Sequence, residues 1–436
     1  MKKIEQLPSL RGTLTVPGDK SISHRSVMLG SIAEGDTRVR GFLKSDDCLA
    51  TIRCFRDMGV EIEEIKGNEP GGDVLVIHGR GLRGLREPEG VLDAMNSGTT
   101  VRLLSGILAG QPFVSRITGD ESLRRRPMHR IIRPLSYMGV MCATEKGNGR
   151  LPMSVCGGDV HAIRYESPIA SAQVKSCVLL AGLYADEPTF FTEPALSRNH
   201  TELMLSTFGG NLKVRKKPQS ASVTTILYPG TILTGQEICV PGDISSAAFY
   251  MAAALLIPDS EITLTHVGIN ETRDGILRVI RAMGGDIRTE NVRMEGREAV
   301  ADITVRASEL TGTEIGGPLI PTLIDEIPVI AVLAACAKGT TVIRDAAELK
   351  VKETDRLSGI IDNLRLMGIR VEETEDGMII RGGRLKGAVI DPKGDHRMAM
   401  AFSVAGLISE GVTTITDETC VSISCPAFYD DLYALT

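Results

Sequence analysis

Nowhere in the chain do about 18 uncharged apolar residues follow one another, so no segment has the pattern of a membrane-spanning helix. Residues 1–10 carry two lysines but lack the apolar run of a secretory leader, and the expected location is the cytoplasm. No low-complexity tract interrupts the sequence, which argues against disorder. The nine cysteines are scattered and form no Cys-x-x-Cys pair. Neither a disulfide framework nor a zinc site is therefore expected, and buried free thiols account for them. Positive charge is not in excess either: 49 lysines and arginines stand against 55 aspartates and glutamates, a formal net charge of -6. That balance excludes a general nucleic-acid footprint, and anionic ligands would have to be drawn by local clusters of cations in a cleft.

What is present is ordinary globular material, 42% apolar and 24% charged with 46 glycines. A length of 436 residues exceeds the roughly 250 to 300 at which one core stops growing, so two domains are expected. The tetrapeptide Val16-Pro17-Gly18-Asp19 returns as Val240-Pro241-Gly242-Asp243, each time ahead of a helix-compatible run containing serine. Similar polar turns lead into Ala/Leu-rich helices near Asn96, Ser167, Asp325 and Asp395, giving six starts spaced by about 70 to 80 residues.

After each apolar helix comes a short β-branched run: 37–39, 114–118, 189–192, 262–265, 340–343 and 412–416. A second, amphipathic helix follows. Five of these end at an apolar residue plus glycine, at Gly59, Gly139, Gly209, Gly284 and Gly368, where glycine takes the left-handed capping position. The sixth, 427–435, ends the chain. The pattern predicts an α/β fold of two similar lobes, each made of three repeated βαβαββ-type units. The duplicated Val-Pro-Gly-Asp segments mark the crossings, so one lobe comprises 1–18 and 241–436 and the other 19–240. The polar turns then sit at helix N-termini, whose free N–H groups suit phosphate.

The charged turns carry the chemistry. Lys20 and Arg25 follow the first Val-Pro-Gly-Asp, whereas its repeat, running on to Ser245, has no cation; plain capping would have left the two copies alike. Asn96-Ser97-Gly98-Thr99-Thr100-Val101-Arg102 combines a glycine for close approach, hydroxyl donors and an arginine. Of Arg124-Arg125-Arg126, Arg126 is the best placed to reach a phosphate, beside Pro127, which is expected to start a helix. Ser171-Ala172-Gln173-Val174-Lys175 and Ser197-Arg198-Asn199-His200-Thr201-Glu202 add donors and cations at further helix starts. Asp325-Glu326, Lys352-Glu353-Thr354-Asp355-Arg356 and Asp395-His396-Arg397 supply acid, base and anion clamps.

Taken in order from Gly18 to Arg397, these motifs resemble those of the 5-enolpyruvylshikimate-3-phosphate synthase family. Gly18-Asp19-Lys20-Ser21, Ser171-Ala172-Gln173-Val174-Lys175, Arg198-Asn199-His200-Thr201-Glu202 and Asn270-Glu271-Thr272-Arg273 look like the four signatures of its class II, glyphosate-tolerant branch. The resemblance implies an inside-out α/β barrel in each lobe, with the active site in the cleft between them. It also implies transfer of the carboxyvinyl group of phosphoenolpyruvate to the 5-hydroxyl of shikimate 3-phosphate, in the pathway to aromatic amino acids, with no metal or organic cofactor and a monomeric enzyme. Shikimate 3-phosphate would be held by Lys20, Ser21, Arg25, Ser171, the Ala172 backbone, Gln173, Arg198, Asp325 and Lys352. Lys20, Gly98, Arg126 and Gln173 would meet the phosphate of phosphoenolpyruvate, and Arg356 and Arg397 its carboxylate. Asp325 is the expected base at the 5-hydroxyl, Glu353 the acid at the methylene carbon, and Lys20 a third catalytic group between the substrates.

Some positions depart from the glyphosate-sensitive branch. Ile423 and Ser424 lie where a phosphate-touching lysine is usual, and Arg198 and Glu348 fall where tyrosine and asparagine are usual. Gly98 stands where tolerant members often have alanine. Two other readings stand beside this one: the homologous transferase acting on UDP-N-acetylglucosamine, and a non-catalytic phosphometabolite-binding protein. The first typically carries a reactive cysteine on a loop for which residues 111–128 offer none, and the second has no use for Asp325 and Glu353 beside anion clamps.

Overall fold

The computed structural model describes residues 1–67, 72–217 and 220–436. The chain divides into two compact units, Met1–Pro17 with Pro241–Thr436, and Gly18–Val240. Each contains three small sheets and three helices buried on every side.

Five of the repeats assemble a βαβαββ set, two of them with a leading strand from elsewhere in the unit: Glu237–Cys239 lies parallel to Glu34–Arg40, and Arg11–Thr15 to Glu261–Gly268. In the second repeat the strand Leu92–Asp93 leads to the buried helix Gly98–Ala109, the strand Val114–Thr118, the helix His129–Tyr137 and the strands Met141–Thr144 and Met153–Cys156. The first and second strands pair parallel, and the remaining pairs are antiparallel. The same order recurs in the four other four-stranded sheets. The sixth sheet has three strands: Val389–Ile390 lies parallel to Thr413–Ile415, and Lys2–Ile4, from the opposite end of the sequence, pairs antiparallel to complete it.

Two kinds of helix follow from two kinds of pattern. Ile327–Cys336 is apolar all round, and every residue from Ile327 to Ala335 is buried, as such a helix requires. Gly275–Ala282 instead buries Ile276, Leu277, Val279 and Ile280 and turns Arg278 and Arg281 to water. The buried helices Lys20–Ile32, Gly98–Ala109 and Ala172–Gly182 contribute Met28, Leu29, Leu104, Ile107, Val178 and Leu179 to one core. Ile244–Leu256, Ile327–Cys336 and His396–Gly406 contribute Phe249, Met251, Val329, Leu333, Phe402 and Val404 to the other.

The polar turn that begins near Ser167, whose hydroxyl donates to Ile169 O at 2.7 Å, leads into the helix Ala172–Gly182 as expected. One local expectation needs correction: Pro127 does not start a helix. Arg124 and Arg125 belong to a short helix, Glu121–Arg125, whose C-cap is Arg126, and the next begins at His129.

The glycines after the amphipathic helices have φ of 81° (Gly59), 84° (Gly139), 95° (Gly209), 84° (Gly284) and 87° (Gly368). At Gly284 the nearest atom to an added Cβ would be Glu309 O, at 4.0 Å. Gly284→Ala is therefore expected to reveal backbone strain alone, lowering unfolding free energy by about 1 to 2 kcal/mol in urea titrations.

Candidate active site

In the Gly18–Val240 unit the candidate side chains gather at helix N-termini. Asp19 caps the helix that begins at Lys20, accepting from Ile22 N at 2.8 Å, and Ser97 caps the one that begins at Gly98, accepting from Thr100 N at 3.1 Å. Lys20 Nζ lies 2.5 Å from Asp47 Oδ2. Arg25 is almost wholly buried, donating from Nε to Thr201 Oγ1 at 2.7 Å, from Nη2 to Ser176 Oγ at 2.9 Å and from Nη1 to Ser21 O at 2.9 Å.

Hydrogen bonds tie these termini together. The imidazole of His24 is fully buried; burial, reinforced by Lys20 and Arg25, holds its pKa well below the ordinary value, so it is neutral. Its Nδ1 is 2.7 Å from Thr51 Oγ1, which is 2.7 Å from Thr100 Oγ1, whose hydroxyl donates to Ser97 Oγ at 2.7 Å. Gln173, in the first turn of the helix capped by Ser171, donates to Thr99 Oγ1 at 3.2 Å and accepts from Arg102 Nη1 at 2.8 Å. Arg126 Nη2 donates to Asn96 Oδ1 at 2.8 Å, and a Cβ added at Gly98 would lie 3.4 Å from Arg126 Nη1. Arg198 sits in the loop just before the helix His200–Thr207. Lys20, Ser21, Arg25, Gly98, Arg126, Ser171, Ala172, Gln173 and Arg198 thus occupy the starts of three buried helices and the loops beside them.

In the other unit a single guanidinium organises the acids. Arg356 is 1% exposed, yet it donates from Nε to Asp395 Oδ2 at 2.7 Å, from Nη2 to Asp395 Oδ1 at 3.2 Å and from Nη1 to Asp325 Oδ1 at 3.3 Å. Glu353 Oε2 lies 2.5 Å from Nη2. Burial works to lower the pKa of Arg356, but the surrounding carboxylates of Asp395, Glu353 and Asp325 outweigh it and raise the pKa, so the group stays charged. Lys352 Nζ is 3.2 Å from the same Asp325 Oδ1, and Arg397 Nη1 donates to Asp325 O at 3.3 Å. Asp325, Lys352, Glu353, Arg356 and Arg397 therefore form one cluster. Glu348 is exposed on the 3-10 turn Ala347–Val351, and Ile423 and Ser424 lie at the end of another, Thr419–Ile423.

With this geometry in place, a sequence model of the family described as EPSP synthase (3-phosphoshikimate 1-carboxyvinyltransferase) matches residues 4–432. The chain belongs to the EPSP synthase family. Among curated relatives, the 3-phosphoshikimate 1-carboxyvinyltransferase of Desulforamulus reducens is 54% identical over 431 residues, 98% of each chain. That of Brevibacillus brevis is 50% identical over 437 residues and the whole of both chains. Among solved structures, EPSP synthase from Acinetobacter baumannii superposes with a TM-score of 0.86 at 45% identity, covering 99% of this chain and 97% of that one. The enolpyruvyl transferase NikO from Streptomyces tendae reaches 0.79 over 99% of this chain and 96% of its own, at 16% identity, a likeness of fold alone. The α/β, two-lobed reading and the family resemblance drawn from the motifs are both borne out.

Some residues of the signature motifs turn out to hold the site rather than face a ligand. Lys175 is fully buried, with Nζ 2.7 Å from Glu193 Oε1, 2.8 Å from Glu202 Oε1 and 3.2 Å from Ser197 O. It joins the second EPSP synthase signature to the third and fixes the loop that carries Arg198. Arg102, whose role the motif alone does not reveal, reaches back to Gln173 and also donates to Pro127 O at 3.3 Å. Lys175→Met removes the charge at similar length and strands two buried carboxylates. The expected result is a loss of about 3 to 5 kcal/mol of stability in denaturant titrations, with the melting transition following.

Proposed function

We infer that this enzyme transfers the carboxyvinyl group of phosphoenolpyruvate to the 5-hydroxyl of shikimate 3-phosphate and releases phosphate, the activity named for its family and curated relatives. The observation that carries the mechanistic reading is the pairing of Asp325 and Glu353 on one buried guanidinium, Arg356. An anionic substrate that meets Arg356 and Arg397 with its carboxylate competes with both acids for the same donors. Binding then loosens the two groups that proton transfer needs, at the moment the substrate arrives.

Shikimate 3-phosphate is assigned to Lys20, Ser21, Arg25, Ser171, the Ala172 amide, Gln173 and Arg198 of one unit, and to Asp325 and Lys352 of the other. On this reading the ligand bridges the two units, and the site is complete only with both. The phosphate of phosphoenolpyruvate is assigned to Lys20, Gly98, Arg126 and Gln173, where two helix N-termini and two cations favour a dianion. In the addition step Asp325 takes the proton of the 5-hydroxyl as its oxygen bonds to C2 of phosphoenolpyruvate, and Glu353 gives a proton to the methylene carbon. In the elimination step the methyl group returns a proton to Glu353, the C2–O bond to phosphate breaks, and the proton held by Asp325 leaves with the phosphate. Lys20, between the substrates, stabilises the charge of the tetrahedral intermediate.

Phosphate release measured with shikimate 3-phosphate and, separately, with UDP-N-acetylglucosamine tests the acceptor; turnover with the second alone would overturn the reading. Glu353→Gln keeps the shape and loses the proton. Turnover is expected to fall by roughly 100-fold or more while the KM for shikimate 3-phosphate stays within about threefold, and near-normal turnover would remove Glu353 from the chemistry.

Glyphosate, longer than phosphoenolpyruvate, is taken to compete for the same site. A Cβ at position 98 would lie 2.7 Å from Arg102 Nη1, so that guanidinium must shift and its bond to Gln173 adjust with it, and 3.4 Å from Arg126 Nη1. Gly98→Ala is expected to weaken inhibition by about 5- to 150-fold, the equivalent of about 1 to 3 kcal/mol, with a much smaller rise in the KM for phosphoenolpyruvate. Inhibition kinetics competitive with phosphoenolpyruvate check this, and equal changes in both constants would contradict it.

A further inference from the structure

The motif Asn270-Glu271-Thr272-Arg273 has no part in the mechanism above, yet its turn is closed by several hydrogen bonds. Asn270 Oδ1 accepts from Thr272 N at 2.9 Å and from Thr272 Oγ1 at 2.7 Å, Asn270 Nδ2 donates to Glu298 Oε2 at 2.8 Å, and Arg273 N closes the turn on Asn270 O at 2.8 Å. The turn drives Arg273 inward, where it is 2% exposed. Its Nη2 donates to Asp243 Oδ1 at 3.0 Å and to Ser245 Oγ at 2.5 Å. The second Val-Pro-Gly-Asp turn, which has no cation of its own, is thereby supplied with one from 30 residues further on.

From Ser245 the direction of the network is forced. A guanidinium only donates, so Ser245 Oγ accepts from Arg273, and its single proton goes to Glu326 Oε1, with which it is hydrogen-bonded. Glu326 has zero exposure, and its other oxygen, Oε2, has no hydrogen-bond partner among the described residues. A carboxylate so far from water needs a compensating cation. Among the described residues the one cation within ion-pair distance is Arg397, with Nη1 3.8 Å from Glu326 Oε1.

The consequence lies in which edge of Arg397 is used. Both side-chain interactions of Arg397, with Asp325 O at 3.3 Å and with Glu326, involve Nη1. The Nη2 and Nε edge, the geometry that grips a carboxylate in two parallel bonds, has no protein partner among the described residues. We propose that Glu326 is a positioning residue that holds Arg397 by one edge so that the other is presented to the carboxylate of phosphoenolpyruvate, and that Ser245 and Arg273 fix Glu326 for this task. The proposal rests on the assignment of Arg397 to that carboxylate. A glutamate at a helix start can also serve only to offset the helix dipole, but that role needs no buried link to Arg273 and would not distinguish one substrate from the other.

The test is steady-state kinetics with both substrates on the full-length enzyme, with thermal melting as the check on folding. Glu326→Gln keeps the shape and the bond from Ser245 while removing the charge. It is expected to raise the KM for phosphoenolpyruvate by about tenfold and to leave the KM for shikimate 3-phosphate within about twofold. Arg273→Lys should shift the same constant in the same direction, and the double variant should do little more than Glu326→Gln alone, because both changes break one chain. Equal rises in both KM values, or an unchanged or lowered KM for phosphoenolpyruvate, would overturn the positioning role. Should Glu326→Gln fail to fold, Ser245→Ala, which removes the donor to Glu326 together with the acceptor for Arg273, breaks the same chain and carries the same expectation and the same refutation. Arg397→Lys separates the two layers. If it leaves the KM for phosphoenolpyruvate unchanged, the carboxylate assignment falls and the proposal with it; if it raises that constant while Glu326→Gln does not, only the positioning role falls.

Discussion

A helix buried on every side leaves its first backbone amides with no water to turn to, and each of the six repeats contains such a helix. Those amides must find side-chain acceptors or an anion. Asp19, Ser97, Asp243 and Asp395 answer part of the demand by capping. The remaining positive potential at each start makes the place suited to phosphate and carboxylate, and arginines and lysines brought there need acids to balance them. The buried pairs Lys20–Asp47, Arg273–Asp243 and Arg356–Asp395 are local solutions to that one constraint.

The same constraint explains why the acids of the candidate site are where chemistry can use them. Arg356 cannot remain charged at 1% exposure without carboxylates, and three surround it. Asp395 has zero exposure and binds in two places, the arrangement of a permanent partner. Asp325 and Glu353 make one contact each with Arg356 and retain some access to solvent. The structural anchor and the two acids proposed to exchange are thus distinguished by burial and by the number of bonds, not by residue type.

Much of this was legible in the sequence because its signals are local. An apolar run such as 327–335 can only be a buried helix, and an apolar residue followed by glycine after an amphipathic stretch marks a left-handed end; the five such glycines all have positive φ. The charged motifs named the clusters for the same reason. What could not be read is what depends on distant partners. Lys175, at a helix start beside polar residues, reads as a cation for a ligand, and only the approach of Glu193 and Glu202 reveals that it is sealed inside. The repeated turn at Asp243 reads as lacking a cation because that cation comes from Arg273 in another segment. Pro127 reads as a helix start because proline suits the first helical position, but Arg126 caps the preceding short helix and the next begins only at His129.

The short strand Lys2–Ile4 has a consequence for the order of events at the ribosome. Its partner, Thr413–Ile415, is made more than 400 residues later, so the sixth sheet cannot be completed until nearly the whole chain has emerged. The Gly18–Val240 unit draws all three of its sheets from its own continuous segment and can fold while synthesis continues. Residues 2–4 are therefore without their sheet partner while the whole intervening unit is being made.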